Sequence, residues 1–257
     1  MKNRRVLFTL ISAVTLLTTL FALPAFSLPT YSQLRTALKA AVAEDNGGFG
    51  FDVWATIVDR WGVVQLVVFS GKRGHQWSAS RVISARKAYT ASAFSLPSFA
   101  LSTANLYSAV ESGGSLFGLQ FSNPVSAKVA SEGDPLTFGA AYDEGFIDND
   151  PMVGQKVGGV NVGGGGLALY DHTGKLVGAI GVSGDSSCVD HNIAWKVRHK
   201  LGFDYIPGGV SPTKDDNIIY DMVNGVSASG WGHLECSDKA TQIGEGLPKT
   251  NPIGTKP

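Results

Sequence analysis

The residues with the most chemical potential sit in one stretch, GAIGVSGDSSCVDHN, from Gly178 to Asn192. It brings Ser183, Asp185, Cys188, Asp190 and His191 within nine positions, types that serve nucleophilic, acid–base or metal chemistry. The common signatures do not fit. A nucleophile elbow needs glycine where Asp185 stands, a phosphate-cradling loop would end in Gly-Lys-Ser/Thr, and the dinucleotide fingerprint has another spacing. Ser187 three residues before Asp190 reads instead as a capping-box-like helix start, with Asp in place of the usual Glu.

The other histidines are weaker candidates. His191 and His199 share a helix face but stand eight residues apart, about 12 Å along the axis, so one ion cannot take both. His191 lies in a first helical turn, where the dipole keeps the ring neutral, the state that ligates a metal. The alternative is a ring that hydrogen-bonds a neighbouring loop. His75, beside Lys72 and Arg73, is the second candidate ligand. His172 falls in a turn and His233 carries no pattern.

Cys188 and Cys236 are the only cysteines. In an exported chain a disulfide between them is expected, since metal partners at short spacing are missing; a thiol activated at a helix N-terminus is the alternative. Charge is uneven. Between Arg60 and Val110 there is no acid, yet Lys72, Arg73, Arg81, Arg86 and Lys87 fall there. Such cations hold carboxylates through charge-assisted hydrogen bonds, or simply line a solvated helix face, the reading preferred for Arg81. From Glu132 to Asp150 the pattern reverses, with acids and no base. Asp148-Asn149-Asp150 lacks the rest of a calcium loop, and docking of this acidic loop on another subunit's basic patch is expected.

The elements that must position these groups follow from periodicity. Tyr31–Val42 reads as a helix; Val53–Val58 and Val63–Phe69 form a hairpin around the turn Asp59-Arg60-Trp61-Gly62. Ala79–Phe94 reads as a helix burying Val82, Ile83, Tyr89, Ala93 and Phe94, and Ser102–Glu111 as a second. A second hairpin, 167–170 and 175–182, turns on Asp171-His172-Thr173-Gly174, and a helix then runs to Gly202. Residues 113–166 read as a long loop and 203–257 as an extension, pinned back by Cys236 and disordered after Ser237.

Residues 1–27 read as a signal peptide: a basic start, the uncharged run Val6–Leu23, and Ala25-Phe26-Ser27 as the cleavage site. Cleavage leaves no stable membrane anchor and a periplasmic or secreted protein. It removes three bases and no acid from a chain with 21 of each, so the remainder is mildly acidic. At 257 residues, 44% hydrophobic and only 16% charged, the chain suits a globular protein, and nothing in it calls for nucleic acid.

Four motifs in this order resemble the GlcG/HbpS family of haem-binding or haem-handling proteins. They are Val58-Asp59-Arg60-Trp61-Gly62, Ala85-Arg86-Lys87-Ala88-Tyr89-Thr90-Ala91, Phe94-Ser95-Leu96-Pro97-Ser98 and Gly178–Gly184, and the similarity spans about 31–202. The resemblance implies an α/β (α+β) fold, a profilin-like antiparallel sheet of about five strands flanked by helices, often in a homo-oligomer. It also implies a tetrapyrrole ligand. The expected function is therefore exported haem binding at a pocket between subunits. His191 is the expected axial ligand, with His75 next. Trp77, Phe94 and Trp195 form the apolar slot, Asp190 lies in the same pocket, and Arg86 and Lys87 meet the propionates. Two alternatives stay open: an enzyme on haem or a small organic acid using Ser183, Asp185, Asp190 and His191, and a ligand-free interaction module.

Overall fold

A computed structural model describes residues 28–141 and 149–255. The predicted signal peptide and three acids of the acidic loop (Asp143, Glu144 and Asp148) lie outside the described residues. In chain order the elements are α1 (Tyr31–Val42), β1 (Trp54–Asp59), β2 (Val64–Phe69), α2 (Ser78–Phe94) and the short helices α3 (Tyr107–Val110), α4 (Leu119–Ser122) and α5 (Ala127–Ser131). Next come β3 (Gly166–Tyr170), β4 (Leu176–Ser183), α6 (Ser187–Leu201), β5 (Met222–Val223), β6 (Val226–Ser227) and α7 (Asp238–Thr250). The main sheet is antiparallel with order β2-β1-β4-β3, and β5-β6 form a separate ribbon. It has four strands rather than about five, because the extension adds its ribbon outside the sheet.

Both hairpins turn on the same chemistry. Asp59 Oδ1 accepts the N–H groups of Trp61 and Val63, and Asp171 Oδ1 accepts those of Thr173 and Lys175. These bonds fix the turn and so the register of each strand pair. The two hairpins join through β1 and β4, paired from Trp54↔Ser183 to Asp59↔Gly178.

Strand alternation then builds two cores. Ala55 and Ile57 of β1, with Ile180 and Val182 of β4, pack under α1 and α6; Trp54, Val58 and Ala179 face α2. The α2 contact is close because it is built from small residues. A Cβ on Gly181 would stand 1.9 Å from the Ser84 carbonyl oxygen and 2.5 Å from Ala88 N, so helix and strand touch backbone to backbone. This corrects the expected buried face of α2. The buried positions are Ser80, Arg81, Ser84, Ala85, Lys87, Ala88, Thr90, Ala91 and Ser92, while Val82, Ile83, Tyr89 and Phe94 are only half-buried and Ala93 is exposed.

The long loop wraps the outer side of α2 and is tied down by charge. Arg81 is 1% exposed and forks onto Asp150, Nε to Oδ2 at 2.8 Å. Arg81 is thus no solvated side chain, and at Asp150 the acidic loop meets the basic segment of its own chain, not of a neighbour. The extension is equally ordered. Asp216 grips Arg198 with two bonds of 2.7 and 2.8 Å, and Cys188 and Cys236 are bonded. The tail expected to be disordered forms α7, capped by Ser237 and packed on α6 through Ala240 and Leu247. Its apolar residues are sparse but fall on one face, so a helix buries them where an irregular chain would not.

Candidate functional site

The junction after β4 is closed on itself. Asp190 lies 2.8 Å from Lys87 Nζ, which also donates to the Val182 carbonyl. Burial raises the Asp190 carboxyl above its ordinary value, to about 6, against the opposing pull of Lys87. The second Asp190 oxygen accepts the Asp185 N–H. The capping box does not form: Asp190 faces Lys87, and Ser187 Oγ accepts the Gly164 N–H and meets His233 Nε2 at 2.8 Å.

His191 is wholly enclosed. Its Nε2 accepts the Ile218 N–H at 3.2 Å and lies 3.1 Å from Asn217 Oδ1. Trp195 is buried too, its indole N–H donating to the Asn251 carbonyl. Segments 217–218 and 251, both from the extension, thus cover the face where an axial ligand and a slot are expected. Lys87 is spent on Asp190, and Arg86 donates to the Val160 carbonyl while burial lowers its pKa. Asp190, His191 and Trp195 with Lys87 thus lie in a closed polar interior, and the extension covers His191 and Trp195.

The other predicted residues emerge at the open end of the sheet, where β1 begins, β2 ends and α2 starts. Trp77 is 60% exposed and its ring lies 5.3 Å from Phe51, which stacks on Phe49 at 5.3 Å. His75 stands beside them, 58% exposed, with Nδ1 3.8 Å from Asp52 Oδ2. Asp52 is fixed in turn by the Ser70 hydroxyl at 2.8 Å. At 3.8 Å the carboxylate makes no hydrogen bond to the ring and acts on it only as a neighbouring negative charge. Lys72 and Arg73 are exposed on the same loop, Arg73 reaching the Phe138 carbonyl. The α2 N-terminus opens here without a side-chain cap, a further attraction for anions.

Asp185 links interior to surface. Its two oxygens accept the N–H groups of Phe49 and Phe51, each at 3.2 Å, and so set the aromatic pair. Gly48 makes this approach: a Cβ there would lie 2.4 Å from Asp185 Oδ1. Asp185 is therefore a positioning residue of the loop, and Ser183 is buried at the end of β4. Phe49 and Phe51 escaped the sequence reading. The glycines around them (Gly47, Gly48 and Gly50) were the available signal, marking a loop that lifts aromatic rings into solvent.

A cavity of ≈600 Å³ lies elsewhere, between Leu28-Pro29, α1 and the end of α6. Its one cation, Lys200, is paired with Glu44 at 3.0 Å, and no histidine lines it. It lacks what a haem requires.

The sequence matches the family described as haem degrading protein HbpS-like over residues 26–198, and the chain belongs to that family. Among solved structures it is similar to the Klebsiella pneumoniae protein ORFY, of family DUF336, at 22% identity, covering 67% of this chain and 90% of that one, with a TM-score of 0.44. It is also similar to the PduOC:haem complex, at 22% identity, covering 68% of this chain and 95% of that one, with a TM-score of 0.45. No curated protein matches it.

Proposed function

We propose that the protein is an exported haem-binding protein and that the ligand lies on the open face formed by Phe49, Phe51, Lys72, Arg73, His75 and Trp77. Membership of a family described by haem supports the ligand class. The observation that carries the site is an exposed imidazole, with a carboxylate 3.8 Å away, two residues from Trp77 in a set of three exposed aromatic rings. The residues fit the group. His75 would ligate iron, the rings would cover an apolar porphyrin face, and Lys72, Arg73 and the α2 N-terminus would meet propionates. When bound, haem supplies an iron centre whose ligation and redox state the protein tunes through that histidine and its carboxylate.

Titration of haemin into protein from the export compartment, with an N-terminus near Leu28, checks this reading. Wild-type protein should develop a Soret band, His75→Ala should shift or lose it while staying folded, and His191→Ala should keep it. Lys72→Ala should weaken binding roughly ten- to a hundredfold, the loss of one charge-assisted bond, without altering the spectrum. An unchanged spectrum in folded His75→Ala would refute the assignment.

A further inference from the structure

The disulfide lies against a histidine that the proposed haem face does not use. One ligand atom each from Cys188, His233 and Cys236 falls within 4.8 Å of the others. The ring is set up for coordination. His233 Nδ1 lies 2.6 Å from the Leu234 carbonyl, which can only accept, so Nδ1 carries the proton and Nε2 holds the lone pair. That lone pair now takes the Ser187 hydroxyl at 2.8 Å, a bond a metal could replace. A backbone carbonyl behind one imidazole nitrogen is the usual support of a histidine ligand. His233 is buried, only 3% exposed.

The two sulfurs differ in a useful way. Cys188 sits in the first turn of the 15-residue α6, where the helix dipole favours a thiolate. Cys236 is exposed, on the surface segment between His233 and α7, so a thiol reductant can reach the bond. Opening it does not release the extension, because Asp216–Arg198 and α7 on α6 hold it independently.

We propose that Cys188, Cys236 and His233 form a latent site for a divalent, thiophilic metal such as zinc, closed by the disulfide and opened by reduction. A dithiol gives two electrons and two protons to the S–S bond, becomes a disulfide itself, and leaves two thiols. The metal ion then displaces both thiol protons and takes two Cys sulfurs and His233 Nε2, with water in a fourth position.

The test uses mature protein reduced with a phosphine, desalted without oxygen, and titrated with Zn²⁺, and in parallel with Co²⁺. Reduced protein should retain one zinc per chain after gel filtration, and the cobalt form should show thiolate-to-metal charge transfer and tetrahedral absorption. Oxidised protein should retain none. His233→Gln, which keeps a polar side chain, should weaken zinc binding at least tenfold, and alkylating the reduced thiols should abolish it. His75→Ala should not change it. Failure of the reduced, folded protein to hold zinc would overturn the proposal, as would equal binding by His233→Gln or by oxidised protein. Circular dichroism on each sample establishes folding. Neither result bears on haem binding, which involves a different histidine.

Discussion

Burial pushes the His191 pKa down to about 3, although Asn217 Oδ1, an acceptor that favours a protonated Nε2, pulls the other way. The ring is therefore neutral in the folded protein over a range where, in the unfolded chain, with an ordinary value near 6.5, it would be protonated. The unfolded state then binds more protons, so stability must fall as pH drops from about 6.5 toward 3. Between about pH 7.5 and 5, His191 alone should cost about 2 kcal/mol by this linkage. Urea unfolding at several pH values checks it. A His191→Gln variant, which does not titrate, should show a flatter profile, and an equal slope would refute the assignment. The same chain carries the contrasting case in His75. Its ring is solvent-exposed, with a carboxylate 3.8 Å away, and no described segment covers it.

The elements themselves were largely legible, because each rests on local signals: α1, both hairpins, α2 and α6 fall where periodicity, Asp–Gly turns and the glycine stop at Gly202 place them. The faces were less legible. Sequence assigns the large side chains of α2 to the core, but the decisive residues are on its partner, Ala179 and Gly181 of β4, which admit only a small-faced helix. Charged residues misled for the same long-range reason. Arg81 and Arg198 are enclosed by Asp150 and Asp216, partners 69 and 18 positions away that no local pattern reveals. The candidate site divided accordingly. His75 and Trp77, close in sequence, both reach the surface, whereas His191 and Trp195 are covered by an extension whose packing could not be read. The α2–β4 contact gives a sharp prediction. Gly181→Val should destabilise by at least about 1–3 kcal/mol, the range for overpacking, since its Cβ meets backbone that cannot turn aside. Thermal or urea unfolding measures this, and near-wild-type stability would show that α2 can retreat from the sheet. A change at Gly50, where a Cβ meets nothing within 4 Å, separates steric crowding from the backbone cost of losing glycine at positive φ.

At the scale of the whole molecule, the extension seals the buried face of α6 into the interior. Residues 26–198 match the family, and the chain beyond them provides Asp216 to Arg198, Asn217 and Ile218 to His191, and Asn251 to Trp195. The disulfide spans 48 positions, and in the loop-entropy model such a closure stabilises by about 4 kcal/mol, an upper value that strain reduces. Cys236→Ser should therefore cost a few kcal/mol and loosen the extension locally, leaving a native state still held by Asp216 and α7. Limited proteolysis should cut this variant after residue 202 faster than wild type while 31–202 survives. The proposed haem face lies on the 49–52 and 72–77 segments, to which neither cysteine is bonded, so haemin affinity should be unchanged. Loss of haemin binding together with protease resistance of the extension would place the ligand against the covered face of α6 after all. Faster cleavage with haemin binding intact is the outcome this architecture requires.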